Sequence, residues 1–343
     1  MTEGPSDLES IAMQLVAPGK GILAADESSG TIEKRFVAVG VESTIASRRA
    51  WRNLLFATSG VEAYISGVIL YDETIRQAAD DGTPFAELLA RRGILPGVKV
   101  DRGAKPLAGA TVEKVTEGLD GLRERLAEYR DLGARFTKWR GVIGIGPGLP
   151  SDYAIRVNAQ ALARFAALSQ EAGLVPVVEP EVLMDGDHTI EHSFEVTSRV
   201  LAIVFDELVA QRVHLEAILL KPNMVLAGYG CVEQATPEQV AASTIRALRR
   251  HVPAAVPGVA FLSGGQDDKD ATANLEALNR VGQQPWQLSF SYGRALQGAA
   301  LKAWSGDPSN VREAQRVFAE RAAATAAARS GSLVEHRTAV AAG

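Results

Sequence analysis

Short runs of apolar residues recur along the chain and alternate with longer amphipathic segments. Eight of these runs have the length of a β-strand and are rich in Val, Ile and Leu, with little polar alternation. This pattern is typical of parallel strands that are buried on both faces. The predicted strands span residues 21–27, 67–70, 97–100, 135–145, 174–179, 217–221, 258–263 and 287–291.

Helical periodicity follows the third to the seventh of these strands. The predicted helices span residues 119–132, 153–172, 192–210, 237–251 and 268–279. A repeated strand–helix unit indicates α/β architecture, and eight repeats favour a closed (β/α)₈ TIM barrel over an open sheet. Further helices are predicted at residues 8–16 and 309–329.

The pattern contains no interdomain linker, so residues 1–343 are predicted to form a single domain. A barrel of this type needs about 250 residues. We place it at roughly 21–308, and we expect a C-terminal helix and a mobile tail over residues 309–343.

Composition and charge narrow the function classes. Of the residues, 46% are hydrophobic and 22% are charged, which is ordinary for a soluble globular protein. Cys231 is the single cysteine, so an intramolecular disulfide is excluded, and a reducing cytoplasm fits. The N-terminus lacks the features of a signal peptide, and the apolar runs are too short to span a bilayer. The net charge of −5 argues against a nucleic acid partner.

Lys221 is the most informative polar residue. Its segment reads AILLKPNMV, so four apolar residues lead into the lysine and a proline follows. An amine in such surroundings is desolvated, which lowers its pKa and allows it to attack a ketone as a neutral nucleophile. The alternative is a lysine that pairs with a buried carboxylate for structural reasons.

Two further pairs of charged residues have the spacing of one strand face. Lys138 and Arg140 are two residues apart, as are Glu179 and Glu181, so each pair can point into the barrel. The cations suit an anion clamp. The carboxylates suit general acid–base chemistry, because proximity raises the pKa of one of them. The alternatives are a solvated pair of cations, and carboxylates that Lys99 or Lys138 neutralises.

Glycine-rich turns follow the last two predicted strands. Ser263-Gly264-Gly265 offers a hydroxyl and backbone N–H groups, and Gly293-Arg294 opens the next helix. A helix N-terminus with a guanidinium binds phosphate readily, and this is the usual phosphate position in such barrels. Either turn alone is commonly structural.

Two local motifs suggest other functions. LSGGQ at residues 262–266 is typical of ABC-transporter ATPases, but the chain has no phosphate loop, so that interpretation is rejected. His188 to His192 spell H-x-x-E-H, a zinc-protease pattern. Because a turn-like MDGD precedes it and no third ligand is evident, zinc binding is the weaker hypothesis.

Seven segments together resemble the class I fructose-bisphosphate aldolases over nearly the whole chain. They are GILAADESSGTIEKR (21–35), GVKVDRG (97–103), FTKWRGVIGIG (136–146), VVEPEVLMDGDH (177–188), ILLKPNMV (218–225), FLSGGQ (261–266) and FSYGRALQ (290–297). Their order and spacing make the resemblance specific.

The resemblance implies a role for each matching residue. Lys221 would form the Schiff base, and Glu179 would exchange protons with the help of Lys138. Glu181 would support this pair, and Asp26 would take the proton of the C4 hydroxyl. The site of the C1 phosphate would comprise Ser263, Gly264, Gly265, Ser291, Gly293 and Arg294. Contacts to the rest of the substrate would come from Ser28, Thr31, Arg35, Lys99 and Arg140.

The implied reaction is the reversible cleavage of fructose 1,6-bisphosphate to dihydroxyacetone phosphate and glyceraldehyde 3-phosphate. No metal or other cofactor is implied, and a homotetramer in the cytoplasm is expected. Well-studied animal members end in a tyrosine that relays a proton at C3, whereas the last tyrosine here is Tyr292. We therefore expect slower or differently routed protonation of the enamine.

Three alternatives stay open at this point. The same lysine chemistry could act on fructose 1-phosphate or sedoheptulose bisphosphate. The H-x-x-E-H motif could belong to a zinc hydrolase. The barrel could be a non-catalytic scaffold, although a scaffold has no use for a desolvated lysine beside two carboxylates.

Overall fold

The predicted barrel is present in the computed structural model, which describes residues 7–110 and 112–332. In these residues eight parallel strands close on themselves, each paired with its neighbours in the chain and the last with the first. The strands are β1 (Gly21–Ala25), β2 (Ile65–Leu70), β3 (Leu95–Lys99), β4 (Phe136–Ile143), β5 (Val175–Val182), β6 (Leu219–Leu220), β7 (Gly258–Phe261) and β8 (Gln287–Tyr292).

Helices surround the barrel and cover its outer face. They are α1 (Asp7–Leu15), α2 (Ser29–Val37), α3 (Ile45–Ala57), α4 (Asp72–Ile75), α5 (Phe85–Arg91), α6 (Leu122–Asp131), α7 (Asp152–Glu171), α8 (Ile190–Ala210), α9 (Pro237–His251), α10 (Asp268–Arg280), α11 (Arg294–Trp304) and α12 (Val311–Arg329). A two-stranded hairpin, Ala104–Pro106 with Lys114–Thr116, follows β3. None of the helices in the described ranges combines the length and apolarity needed to span a bilayer.

The predicted boundaries differ from the observed ones in a few places. β6 has two residues rather than five, because Leu215–Ala217 form a 3₁₀ turn and Pro222 follows Lys221. β5 runs three residues past Glu179, because its polar residues face the barrel interior and do not end the strand. Helices α2 to α5 were not predicted. Helices α2, α4 and α5 are short, and α3 buries an arginine, Arg52, among its apolar residues. Residues 333–343 of the predicted tail lie outside the described part.

Two apolar layers hold the barrel together, one inside it and one between the strands and the helices. The inner layer lies at the N-terminal ends of the strands, and α1 closes the barrel there through Leu15 and the adjacent Val16. The outer layer includes Trp139, which stacks on Phe165 of α7 with ring centroids 5.7 Å apart. The barrel is thus sealed at the bottom, and water has access to its interior from the C-terminal ends of the strands.

Gly97 on β3 shows how tightly the inner layer is packed. A Cβ atom at this position would overlap the ring of Phe136, which is fully buried inside the barrel. We expect Gly97→Ala to lower the free energy of unfolding by about 1–3 kcal/mol, because the overlap forces the ring or the strand to shift.

Urea unfolding measures this change. Gly144→Ala is the matched control, since a Cβ atom there would meet nothing within 4 Å. Equal stability of the two variants would contradict the packing described for the barrel interior.

Candidate active site

The inward face of four strands changes from apolar to charged within two residues. Because strand side chains alternate, a residue two positions after an inward one also points inward. The apolar residues of the inner layer are Ala24, Phe136, Val177 and Leu219. The charged residues that follow them are Asp26, Lys138, Glu179 and Lys221, in that order.

These four charges form one connected cluster above the apolar layer. The Lys138 Nζ lies 2.6 Å from Glu179 Oε2 and 3.0 Å from Asp26 Oδ2. The Lys221 Nζ lies 3.3 Å from Glu179 Oε1. The side chains of both lysines and Glu179 are at least 94% buried. Glu179 therefore bridges the two amines in surroundings that contain little water.

Burial and neighbouring charges shift three pKa values in this cluster. Burial lowers the pKa of Lys221; Asp26 and Glu181 oppose this effect, and Arg140 reinforces it. Burial likewise lowers the pKa of Lys138 to about 8, against the opposing charge of Asp26. Burial alone would raise the pKa of Asp26, but the two lysines outweigh it and hold this pKa well below its usual range. The site thus favours a neutral amine beside an ionised carboxylate.

A second layer of charges surrounds this cluster. The Arg140 guanidinium pairs with Glu181, and the Lys99 Nζ lies 2.5 Å from Asp101 Oδ1. The strand register brings Arg140 beside Glu179. Burial tends to lower the pKa of Arg140, but its contact with Glu181 raises it overall, so the guanidinium remains charged.

The turns after β7 and β8 form a polar end of the site. Residues 263–266 make a tight turn in which Gln266 N donates to Ser263 O over 2.9 Å, with positive φ values at Gly264 (58°) and Gly265 (100°). The Ser291 hydroxyl is buried and has no hydrogen-bond partner in the described part of the chain. Arg294 begins helix α11. A hydroxyl, turn N–H groups and a helix N-terminus together suit an anion.

Glu27 anchors the other end of the site. Its carboxylate pairs with Arg35 and with Arg52, whose Nη2 lies 2.6 Å from Glu27 Oε2, and it accepts a hydrogen bond of 3.0 Å from Gln297. These contacts fix the start of α2, where the Ser28 and Thr31 hydroxyls lie 3.0 Å apart.

All residues predicted for the site line one cleft of about 610 Å³. Asp26, Ser28, Thr31, Arg35, Lys99, Lys138, Arg140, Glu179, Glu181, Lys221, Ser263, Gly264, Gly265, Ser291, Gly293 and Arg294 are all among its lining residues. Three further polar residues line the cleft that were not among the predicted site residues: Glu27, Asp185 and Tyr229. Glu27 ends the first predicted strand beside Asp26, but the pattern gave it no role, whereas Asp185 and Tyr229 lie on loops whose positions no strand pattern reveals.

The H-x-x-E-H segment does not form the helical face that the zinc hypothesis needs. Helix α8 begins at Ile190, and Thr189 caps it by accepting from His192 N, so His188 precedes the helix. His188 is buried, whereas the His192 side chain is 46% exposed and lies 3.5 Å from Glu195. Within residues 7–110 and 112–332, no group of three or more His, Cys, Asp or Glu side chains could hold a metal ion.

Comparison with known proteins matches this arrangement to one family. The family model described as "Fructose-bisphosphate aldolase class-I" matches residues 7–343. A probable class 1 fructose-bisphosphate aldolase from Xanthomonas campestris is 58% identical over 316 residues, 92% of this chain and 95% of the relative. A cytosolic aldolase from Arabidopsis thaliana is 52% identical over 326 residues, 95% of this chain and 83% of the relative.

The fold matches a solved structure equally well. The fructose-bisphosphate aldolase of Plasmodium falciparum, crystallised with TRAP and a small-molecule inhibitor, is similar with a TM-score of 0.94 and 48% identity. The match covers 96% of this chain and 97% of that one.

The role of Glu27 as an anchor can be tested by stability. In Glu27→Gln the buried Arg52 loses its charged partner, so we expect the free energy of unfolding to fall by about 3 kcal/mol. Urea unfolding measures this. The control is Glu87→Gln, which breaks a surface pair with Arg91 whose side chains are 48% and 64% exposed. A Glu27→Gln variant as stable as this control would contradict the anchoring role.

Proposed function

This chain belongs to the class I fructose-bisphosphate aldolases, which cleave fructose 1,6-bisphosphate reversibly through a lysine Schiff base, and we propose that Lys221 is that lysine. The observation that carries the proposal is the buried cluster in which Glu179 bridges Lys221 and Lys138. The products are dihydroxyacetone phosphate and glyceraldehyde 3-phosphate.

Two buried lysines compete for the role of nucleophile, and their contacts distinguish them. Lys138 lies within 3.0 Å of both Asp26 and Glu179, so its ammonium form is stabilised on two sides. Lys221 is 97% buried and contacts Glu179 at the longer distance of 3.3 Å. Lys221 is therefore the amine more readily available in its neutral form, and Lys138 serves as a fixed positive charge.

Glu179 is in position to move protons between Lys221 and the substrate. Attack of the neutral amine on C2 gives a carbinolamine, whose hydroxyl must be protonated to leave as water and form the iminium ion. A carboxyl group 3.3 Å from the Lys221 Nζ can deliver that proton, and Lys138 stabilises the carboxylate that remains. Glu181 holds Arg140 and so keeps the neighbouring cation in place.

Asp26 is the group that we assign to bond cleavage. When it takes the proton of the C4 hydroxyl, the electrons of the C3–C4 bond move into the iminium ion and form an enamine, and the aldehyde leaves. Protonation of the enamine at C3 and hydrolysis of the imine then release the ketose phosphate. The ionised state of Asp26 makes it a proton acceptor at neutral pH.

The two polar ends of the cleft suit the two phosphates of the substrate. We assign the C1 phosphate to the turns after β7 and β8, with Ser263, Gly264, Gly265, Ser291, Gly293 and Arg294. We assign the rest of the substrate and its second phosphate to Ser28, Thr31, Arg35, Lys99 and Arg140. The reacting carbons then lie over Lys221, between the two anion sites.

Assembly and location extend this proposal. We propose that the chain forms a homo-oligomer, a tetramer by resemblance to the family. The molecule that it binds is the small sugar bisphosphate, and we propose no nucleic acid partner. The Arabidopsis relative is named cytosolic, and we place this chain in the cytoplasm by analogy. Fructose 1-phosphate and sedoheptulose bisphosphate remain candidate further substrates, and their cleavage rates relative to fructose 1,6-bisphosphate decide their importance.

Substitution of Glu179 tests the assignment of the proton donor. We expect Glu179→Gln to lower kcat for cleavage of fructose 1,6-bisphosphate by about 10²–10⁴-fold, because an amide cannot donate and accept the proton of a general acid. KM should change far less, since the phosphate sites are untouched. Steady-state kinetics of cleavage, followed by the release of the two phosphorylated products, measures both kcat and KM.

The control is Glu195→Gln on α8, where the side chain is 73% exposed. Urea unfolding of both variants separates lost catalysis from lost folding. A folded Glu179→Gln variant that keeps kcat within a few-fold of the parent would contradict the assignment.

A further inference from the structure

Tyr229 lines the cleft, but no role in the reaction has been assigned to it. It lies on the loop that follows β6 and begins with Lys221, and the residue is 48% exposed. Its hydroxyl donates to the carbonyl oxygen of Gly264 over 3.0 Å. That carbonyl belongs to the turn that we assign to the C1 phosphate, so the contact joins two loops that meet at the mouth of the barrel.

Three backbone hydrogen bonds hold this loop against the loop that follows β5. Gly228 N donates to His188 O over 2.8 Å, Tyr229 N to Met184 O over 2.9 Å, and Gly230 N to Gly186 O over 2.7 Å. Gly228 has no room for a Cβ atom, which would overlap the backbone of Gly186. The backbone of Tyr229 is therefore fixed, although its side chain faces the open cleft.

The turn that Tyr229 contacts has a conformation suited to binding an anion. Gly264 and Gly265 both have φ in the left-handed region, and successive N–H groups in turns of this kind form an anion-binding concavity. A Cβ atom on Gly265 would lie 3.3 Å from the Tyr229 hydroxyl and 3.0 Å from Arg294 Nη2. The phenol, from the loop after β6, and the guanidinium, from the first residue of α11, thus flank the same glycine.

The hydroxyl of Tyr229 is a stable donor. Burial raises its pKa to about 12, although the nearby Arg294 opposes this, so the phenol stays protonated throughout the physiological range. The hydrogen bond that the Tyr229 hydroxyl donates keeps the Gly264 carbonyl oxygen, which carries a partial negative charge, oriented towards the phenol. An unsupported carbonyl could turn into the space that a phosphate would occupy and repel it.

We propose that Tyr229 is a positioning residue, which orients the 263–266 turn for the phosphate of dihydroxyacetone phosphate through its bond to Gly264. This rests on the proposed function, because it assumes that the turn receives a phosphate. The role concerns affinity for the phosphorylated ketone and leaves the chemistry at Lys221 unchanged.

Tyr229→Phe tests the proposal, since it removes the hydroxyl and keeps the ring. Schiff-base formation is followed as the borohydride-reduced adduct, by intact mass, over a range of ketone concentrations. We expect the half-saturating concentration of dihydroxyacetone phosphate to rise about three- to tenfold, the range expected for one lost hydrogen bond. For dihydroxyacetone, which has no phosphate, we expect no change. Trapping at saturation should be equal in parent and variant.

The control variant is Tyr153→Phe on α7, where the residue is 49% exposed and lies outside the cleft lining. Equal loss of affinity for both ketones would indicate general damage to the loop and overturn the proposal, as would unchanged affinity for dihydroxyacetone phosphate. Absence of an adduct in the parent protein is a separate result, which would refute the Schiff-base assignment itself.

Discussion

The structure depends on the burial of a lysine amine at the level where the barrel interior changes from apolar to charged. Below this level, the inner layer and helix α1 seal the barrel, so water reaches the cluster from the C-terminal side. Above it, Lys221 and Lys138 share the carboxylate of Glu179. Desolvation penalises the ammonium form of both lysines, and their unequal carboxylate contacts are the basis on which we propose Lys221 as the nucleophile.

The same arrangement explains why the site tolerates so many buried charges. Each buried charge has an opposite partner, and the pairs extend outward through Arg140 with Glu181 and Lys99 with Asp101. Removing one member of such a pair leaves an unpaired charge in the interior. The resulting loss in the free energy of unfolding exceeds what the intact pair contributes to it. The network therefore fixes geometry more than it adds stability, and it holds the reactive groups still before a substrate arrives.

Most of this could be predicted from the sequence, because the signals are local and periodic. Period-2 spacing placed Glu179 with Glu181 and Lys138 with Arg140 on inward faces, and the eight apolar runs gave the barrel. The features that were not predicted depend on contacts between residues that are far apart in the chain. The 3₁₀ turn that shortens β6 depends on neighbouring structure, and the Glu27 anchor joins residues that are 25 and 270 positions apart in the chain. Tyr229 reaches the cleft through loop pairing, which no periodic pattern records.

The proposed mechanism is tested most sharply by identifying the lysine that forms the Schiff base. The protein is incubated with dihydroxyacetone phosphate, reduced with borohydride in the presence and absence of EDTA, digested, and mapped by peptide mass spectrometry. We expect a single triose-phosphate adduct on Lys221, formed equally with and without the chelator. An adduct on Lys138 instead, or no adduct on either lysine, would contradict the proposed mechanism.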